Sequence, residues 1–205
     1  MPESAEEVYA RVLAETGPDG RLPTPPVSEW DTFPWAAQGD AIMTRPLAPP
    51  AAEQPRRGID GVDCLACSPD GAAGTIWRDE AWRVKHLPER GGLPITLILE
   101  TVEHFDYTDL DDRQAAELGQ LTVRLARIVE SLPHIGRCHV SRWGDGAEHC
   151  HVWFFGRTAG LGSTRGSFAI EWDEFLPAGP EDVWRADLAA IAHKLATHGG
   201  EALVH

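Results

Sequence analysis

The stretch Glu148-His-Cys-His-Val-Trp-Phe-Phe-Gly-Arg157 carries the strongest structural signal in this chain of 205 residues. If it is a β-strand, its period of two places four side chains on one face: His149, His151, Trp153 and Phe155. The apolar residues between them then face the other way and pack on a core. Two imidazoles side by side on a sheet indicate metal ligation or nucleophilic chemistry, and a pair of hydrogen-bonded core histidines is the alternative.

The elements around this strand predict an α+β domain built on an antiparallel sheet. Further strands are predicted at 81–87, 94–101, 137–143 and 167–172. The clearest helix is Asp111–Leu132, where apolar residues recur at steps of three and four and acidic residues occupy the first turn. A last helix is predicted from Pro180 to the Gly199-Gly200 pair. Strands joined by short turns, with one long helix between them, are typical of this class.

The N-terminal part of the chain has a different composition. A short amphipathic helix is predicted at 4–16, and a segment with nine prolines follows from Pro18 to Pro55. Proline cannot pair in a central strand, so we expect this segment to run extended over a surface. It contains three aromatic residues that we expect to dock it onto the domain, with a floppy leader as the alternative: Trp30, Phe33 and Trp35.

These features divide the chain into three parts. Residues 1–60 form the N-terminal helix and a Pro-rich wrapping segment, residues 61–157 form the core, and residues 158–205 form a C-terminal strand and helix extension.

The net charge restricts the classes of partner that this protein can bind. Eighteen Lys and Arg residues against 32 Asp and Glu residues give a net charge of −14, which repels nucleic acid and anionic membranes. No apolar run reaches membrane-spanning length, and the N-terminus lacks the basic and apolar regions of a signal peptide. The sequence therefore predicts a cytoplasmic protein with reduced thiols, in which any phosphate ligand must be attracted locally.

The segment Asp63-Cys-Leu-Ala-Cys67 is a Cys-x-x-Cys pair. In a reduced compartment such a pair is half of a zinc site or a redox dithiol. A thioredoxin-like dithiol begins a helix after a strand, whereas this pair precedes a turn, which favours zinc. His104 and His149 are suitable as the remaining ligands. The other two cysteines, Cys138 and Cys150, are predicted to be small core residues.

Taken in chain order, these features resemble the histidine triad (HIT) superfamily, including its galactose-1-phosphate uridylyltransferase branch. The resemblance rests on the Cys-x-x-Cys pair, the segment Leu97–Asp111 with its histidine, the long helix, and the strand His149–Arg157. It covers roughly residues 61–157 and implies a HIT-like antiparallel sheet with one long helix. It also implies a homodimer formed through the long helix, a contact that the two extensions could block or replace.

The resemblance implies roles for individual residues. A structural zinc ion is held by Cys64, Cys67, His104 and His149. His151 is the nucleophile, which attacks the α-phosphorus of a nucleotide derivative and forms a nucleotidyl-imidazole that water or another acceptor resolves. The function implied is that of a nucleotide hydrolase or nucleotidyltransferase acting on a nucleoside phosphate derivative.

One position departs from the family pattern, because the third triad residue is Trp153. An indole has one hydrogen-bond donor and no titratable proton, so it cannot be a general acid. Three interpretations follow. Trp153 donates to a phosphate oxygen while another residue protonates the leaving group, it forms a stacking wall for a base, or the phosphoryl chemistry is lost and the scaffold is reused.

Three further residues are candidates for substrate binding. Arg142 and Arg157 flank the strand and could neutralise phosphate, although ordinary surface ion pairs are the alternative. Ser141 lies where a loop could offer backbone N–H groups to an anion. The rival functions are a non-catalytic small-molecule-binding protein and a specialised-metabolism enzyme with a repurposed pocket.

Overall fold

A computed structural model describes residues 1–23, 33–38 and 41–204. The first helix, α1 (Ala5–Ala14), lies within the helix predicted at 4–16 and begins with a capping box formed by Ser4 and Glu7. A two-stranded antiparallel hairpin follows, consisting of β1 (Trp35–Gln38) and β2 (Ala41–Thr44). The sequence did not predict this hairpin, because proline-rich composition masks the short pairing segment between the prolines.

A six-stranded antiparallel sheet forms the centre of the protein. Its strands are β3 (Thr75–Arg78), β4 (Trp82–His86), β5 (Ile95–Thr101), β6 (Ile135–Ser141), β7 (His151–Thr158) and β8 (Glu201–Ala202). The spatial order is β6-β7-β5-β4-β3-β8, so the strand that contains His151 lies between β6 and β5. The predicted α+β architecture with an antiparallel sheet is confirmed.

Helices cover one face of this sheet. The long helix α2 spans Asp112–Glu130 and begins with a capping box between Asp111 and Gln114. Helix α4 spans Glu181–Ala196 and buries Leu188, Ile191 and Leu195 in the same core. Strand β7 contributes its even-numbered side chains to this core, Val152 and Phe154 among them. The C-terminal extension therefore shares one hydrophobic core with the segment that resembles HIT proteins.

The strand predicted at 167–172 is wrong. The structure has a short helix there, α3 (Phe168–Asp173). Its two buried residues, Ala169 and Asp173, are four positions apart, which places them on one helical face. Alternation in such a short segment cannot distinguish this pattern from a strand.

The structure describes two of the three aromatic residues that were predicted to dock the N-terminal segment. Trp35 lies 6.1 Å from Phe168 of α3 between ring centroids, and Phe33 packs edge-on against Trp35 at 5.6 Å. These contacts place Trp35 against α3, whereas Trp30 lies outside the described residues. Across the described ranges, no helix combines the length and the apolarity needed to cross a membrane.

Candidate functional site

The predicted metal ligands come together at one end of the sheet. The donor atoms of Cys64, Cys67, His104 and His149 all lie within 4.8 Å of one another and could hold one metal ion. The Nδ1 atom of His149 is 3.4 Å from Cys64 Sγ and 3.6 Å from Cys67 Sγ. His104 Nδ1 is 3.6 Å from Cys67 Sγ and 3.4 Å from His149 Nδ1. Residues far apart in sequence thus converge on one point.

The second nitrogen of His149 orients its ring. His149 Nε2 lies 3.0 Å from the carbonyl oxygen of Thr101, a contact that makes Nε2 the protonated nitrogen and leaves Nδ1 free to bind a metal. His104 Nε2 lies 4.0 Å from Glu148 Oε1. Glu148 in turn accepts a hydrogen bond from Arg56 at 3.0 Å. His149 therefore has the outer hydrogen-bond partner that metal-ligating histidines usually have, whereas the buried Nε2 of His104 has no hydrogen-bond partner among the described residues.

The electrostatics of the cluster suit a cation. Burial is the largest cause that lowers the pKa of His149, so its imidazole is neutral, as a metal ligand must be. Burial, followed by the hydrogen bond and charge of Cys64, raises the pKa of the Cys67 thiol to about 11. Two sulfurs held this close lose their protons when a cation compensates the charge.

The loop that carries the cysteines, residues 64–71 (the metal loop), is fixed to the sheet by two cations of β4. Arg83 and Lys85 donate to carbonyl oxygens of the loop at 2.5 and 3.2 Å. Both also form ion pairs with the buried Glu100 of β5, at 2.6 and 3.0 Å. The metal loop is thus held to the strand that lies beside β7.

The segment before the metal loop joins it to the other side of the site. Arg57 donates its backbone N–H to the carbonyl of Gly146 at 3.0 Å and accepts from the N–H of Glu148 at 2.8 Å. Gly58 follows with φ +86°, and a Cβ there would lie 3.3 Å from Cys64 Cβ. A side chain at this position would crowd the first metal ligand, which explains the glycine.

His151 occupies the first position of β7. Its Nδ1 atom lies 2.6 Å from the carbonyl oxygen of His149, so Nδ1 carries the proton and donates it, and Nε2 presents a lone pair. The residue directly opposite on β5 is Glu100. Because opposite residues of an antiparallel pair share a face, His151 stands beside the Arg83–Glu100–Lys85 network.

Aromatic rings continue this face beyond His151. Trp153 and Phe155 are parallel within 6°, with centroids 5.8 Å apart. Trp143 packs edge-on against both, at 6.3 and 6.1 Å. His151 lies 6.4 Å from Trp153, close to perpendicular to it. As predicted, His151, Trp153 and Phe155 share a face, whereas His149 precedes the strand and points into the metal cluster.

Ser141 and Arg142 were both predicted to bind substrate, but only Ser141 lies beside this aromatic surface. Ser141 is paired directly with Trp153 across β6 and β7. Arg142 is placed differently, since its guanidinium lies 4.6 Å from the ring centroid of Tyr107 and 3.5 Å from Asp106 Oδ1. The structure thus gives Arg142 an aromatic and an acidic partner on the side of α2.

Arg157 lies on the same face as His151 but far along β7. Six residues of strand correspond to about 20 Å, beyond the span of one phosphate group. Its Nη1 atom donates to the carbonyl oxygen of Thr158 at 3.2 Å. The structure therefore does not bring Arg157 together with His151.

The solved structures that resemble this chain include histidine triad proteins. No protein-family model matches the sequence, and no curated protein matches it. A zinc-bound histidine triad family protein from Mycobacterium smegmatis is 20% identical and aligns over 65% of this chain and 96% of its own, with a TM-score of 0.46. A histidine triad protein from Bradyrhizobium japonicum is 18% identical over 58% of this chain and 88% of its own, with a TM-score of 0.48.

A uridylyltransferase is 16% identical and covers 64% of this chain, with a TM-score of 0.44. This chain spans 45% of that longer protein. At these identities the likeness concerns the fold, and the chemistry depends on the residues of this chain.

Sequence reasoning missed several residues of this site. Glu100, Arg83 and Lys85 form the ion network beside His151, and Trp143 completes the aromatic surface. One signal was available, because Glu100 is the only carboxylate in the apolar run Ile95–Thr101. A lone acid in a buried strand indicates a paired charge. Its partners depend on strand register, which the sequence does not show.

Proposed function

We propose that this chain is a HIT-like nucleotide hydrolase or nucleotidyltransferase that acts through a covalent nucleotidyl intermediate on His151. The observation that carries the proposal is the hydrogen bond of 2.6 Å between His151 Nδ1 and the His149 carbonyl. It fixes the tautomer in which Nε2 is a nucleophile. The three aromatic rings beside it provide a surface on which a planar base could stack.

The proposed reaction has two steps. The Nε2 lone pair of His151 attacks the phosphorus, a P–N bond forms, and the bond to the leaving group breaks with its electron pair. The imidazole ring becomes positively charged, and the His149 carbonyl that accepts from Nδ1 stabilises that charge. Water or another acceptor then attacks phosphorus, which breaks the P–N bond and restores the Nε2 lone pair. The acceptor decides between hydrolase and transferase.

We propose that the metal is zinc and that its role is structural. Tetrahedral zinc, with bonds of about 2.3 Å to sulfur and 2.0 Å to nitrogen, requires S–N separations of about 3.5 Å and an N–N separation of about 3.3 Å. Three of the four S–N distances here are 3.4, 3.6 and 3.6 Å, and the N–N distance is 3.4 Å. Four protein ligands leave no open position for substrate, which is typical of structural sites.

A second function is favoured by one observation. The position that normally assists the leaving group is Trp153, which is packed against Phe155 and Trp143. In this alternative, His151 and the aromatic rings bind a small molecule without turnover, or serve a different reaction in specialised metabolism. The predicted homodimer through α2 and the cytoplasmic location stay predictions.

Intact-mass measurement distinguishes these functions. The protein is incubated with a panel of nucleotide derivatives and quenched rapidly, and we expect a nucleotidyl adduct that maps to His151. His151→Ala should form no adduct and lose turnover by roughly 1,000-fold or more, with an unchanged unfolding transition. Binding of nucleotide without adduct or turnover would instead establish the binding protein. Elemental analysis should find about one zinc ion per chain.

A further inference from the structure

One guanidinium joins the two chain segments that carry the histidine ligands. Arg56 Nη1 donates to Asp106 Oδ2 at 2.7 Å, and Asp106 is the second residue after His104. Arg56 Nη2 donates to Glu148 Oε2 at 3.0 Å, and Glu148 directly precedes His149. Each carboxylate therefore lies next to a metal ligand in the sequence, and the two arms of one side chain hold both carboxylates.

This bridge is largely shielded from solvent. The exposed fraction of the side chain is 30% for Arg56, 10% for Asp106 and 20% for Glu148. The backbone joins the same two segments, because the N–H of Cys150 donates to the carbonyl of Phe105 at 2.6 Å. Salt screens such partly buried ion pairs much less than it screens exposed ones. Arg56 is thus placed to fix one histidine-bearing segment against the other.

Glu148 is also the carboxylate that faces the far side of His104. The Nε2 atom of His104 is buried and has no hydrogen-bond partner among the described residues, and Glu148 Oε1 lies 4.0 Å from it. When Nδ1 of a histidine binds a metal, Nε2 carries the ring proton and needs an acceptor. Two donors hold the Glu148 carboxylate in this place, Arg56 at Oε2 and the backbone N–H of Asp60 at Oε1, the latter at 3.1 Å.

Arg56 comes from outside the segment that resembles HIT proteins. All four metal ligands lie in residues 61–157, whereas Arg56 belongs to residues 1–60. The next residue, Arg57, forms an isolated parallel β-bridge with Ala147, which brings this part of the chain alongside the loop that leads to His149. The N-terminal part therefore reaches the metal cluster through the neighbours of its ligands.

Building on the metal site proposed above, we propose that Arg56 is a positioning residue of the metal centre. It holds Glu148 as the outer partner of His104 and fixes the two histidine-bearing segments, so that tight metal binding depends on residues 1–60. Because Arg56 acts through two carboxylates and supplies no ligand atom, its removal changes the affinity and the geometry of the site and leaves the set of four ligands intact.

The first test compares zinc affinities, measured by competition with a chelator. Arg56→Met removes the guanidinium and keeps the apolar stem, and we expect the Kd for zinc to rise roughly 10-fold or more. Arg56→Lys keeps the charge without the fork that serves two carboxylates, so its Kd should lie between the two. The control is Arg21→Met, which removes the same charge from an exposed ion pair and should bind zinc as the wild type does. Wild-type affinity in Arg56→Met would overturn the proposal.

A double-mutant cycle tests the route through Glu148. Glu148→Gln should itself weaken zinc binding, because an amide accepts a proton less strongly than a carboxylate. If Arg56 acts through Glu148, the variant with both substitutions should bind zinc at least about threefold more tightly than the product of the two single effects predicts. Effects that simply multiply would overturn this route.

A spectrum separates positioning from a general loss of stability. Cobalt(II) is bound to the full chain in place of zinc, and its visible absorption bands depend on the coordination geometry. We expect the bands to shift in Arg56→Met, to return toward those of the wild type in Arg56→Lys, and to stay unchanged in Arg21→Met. Unshifted bands in an Arg56→Met protein of lowered stability would overturn the positioning role.

Failure of the metal site itself has a separate signature. If the cluster binds no metal, the wild type contains no zinc by elemental analysis, and Cys64→Ala unfolds as the wild type does. If only the role of Arg56 is wrong, the wild type contains zinc, Cys64→Ala loses it, and Arg56→Met keeps it with the affinity of the wild type. Zinc content and affinity in these three proteins distinguish the two outcomes.

Discussion

The central sheet buries polar side chains at both of its ends, and the two ends satisfy them in opposite ways. At the end that carries the metal cluster, His149 is 3% exposed, and its Nδ1 faces two sulfurs and a second Nδ1 at 3.4–3.6 Å. At the other end, Asp173 of α3 is 9% exposed, and its carboxylate accepts from Leu93 N at 2.7 Å and from Thr96 Oγ1 at 3.1 Å.

This difference separates a binding site from a structural contact. The metal cluster is a set of electron-pair donors that face one another and could hold a cation between them. Asp173 already accepts hydrogen bonds from the N–H of Leu93 and the O–H of Thr96, which a buried carboxylate requires. These bonds fix α3 on the sheet, and the carboxylate needs no ligand. Burial alone does not distinguish the two ends; the chemistry of the neighbours does.

The largest effect should come from breaking the metal cluster. Cys64→Ala removes one ligand, and we expect it to abolish stoichiometric zinc and to lower the free energy of unfolding by about 4 kcal/mol or more. That value corresponds to free zinc at a thousand times its Kd. Urea unfolding and elemental analysis measure both effects. Cys138→Ala, which changes a half-buried cysteine outside the cluster, should retain its zinc. A Cys64→Ala protein that keeps zinc and stability would contradict the assignment.

The ion network beside the cluster should give the next effect. Glu100→Gln leaves Arg83 and Lys85 without their shared carboxylate, and removing one partner of a buried ion pair costs about 3 kcal/mol. Zinc should also dissociate faster, because both cations hold the metal loop. Denaturant unfolding and chelator-driven zinc release measure the two effects. Glu117→Gln, on α2, serves as the control and should leave zinc release at the wild-type rate. If Glu100→Gln released zinc at the wild-type rate, the ion network around Glu100 would not stabilise the metal loop.

At the opposite end, Gly91→Ala tests how closely α3 packs on the sheet. A Cβ on Gly91 would lie 2.2 Å from Asp173 Oδ1, so the carboxylate or the backbone must shift. We expect a loss of about 2 kcal/mol in thermal or urea unfolding, with zinc content unchanged. Gly119→Ala is the matched control, because a Cβ there meets no atom within 4 Å. It lies inside α2 and should be neutral or stabilising by up to about 1 kcal/mol. A zinc loss in Gly91→Ala would show that the two ends are not independent.

The smallest effect concerns pH. Burial is the main cause that raises the pKa of Asp173 above its ordinary value, so the folded protein holds this proton more tightly than the unfolded chain. The contribution to stability is therefore present below the ordinary aspartate pKa and is lost as pH rises through the raised folded pKa. Asp173→Asn keeps an acceptor for Leu93 and should differ from the wild type by less than about 1 kcal/mol at pH 7. Between pH 4 and pH 7, the free energy of unfolding should fall less in Asp173→Asn than in the wild type. Parallel pH curves for the two proteins would refute the raised pKa of Asp173.

Much of the architecture was accessible from local patterns. The long helix was predicted as Asp111–Leu132 and is observed as Asp112–Glu130, since its apolar steps and its first-turn acids are local signals. Strand β5 was also predicted within one residue of its start. Helix α3 was mistaken for a strand, because the reason that Asp173 is buried lies 80 residues away at Leu93.

The candidate site likewise has features that local sequence patterns predict and features that depend on residues remote in sequence. The identities of the four metal ligands were predictable, because Cys and His are few, have characteristic spacing and carry specific chemistry. Their convergence within 4.8 Å and the tautomer of His151 depend on how β5, β7 and the metal loop meet. The partners of Arg142 and the distance of Arg157 from His151 were likewise beyond the reach of sequence spacing.

The sequence by itself therefore determined which groups this protein offers for chemistry: two thiols and two histidines as candidate metal ligands, a third imidazole at His151, and a tryptophan two residues after it. Only the tertiary structure decided which of them act together, and it added Glu100 and Trp143 to the site. The physical reason is the distance along the chain between the residues that interact. Helix periodicity, caps and ligand spacing are properties of a few consecutive residues, whereas hydrogen bonds and ion pairs depend on distances set by the register of strands remote in sequence.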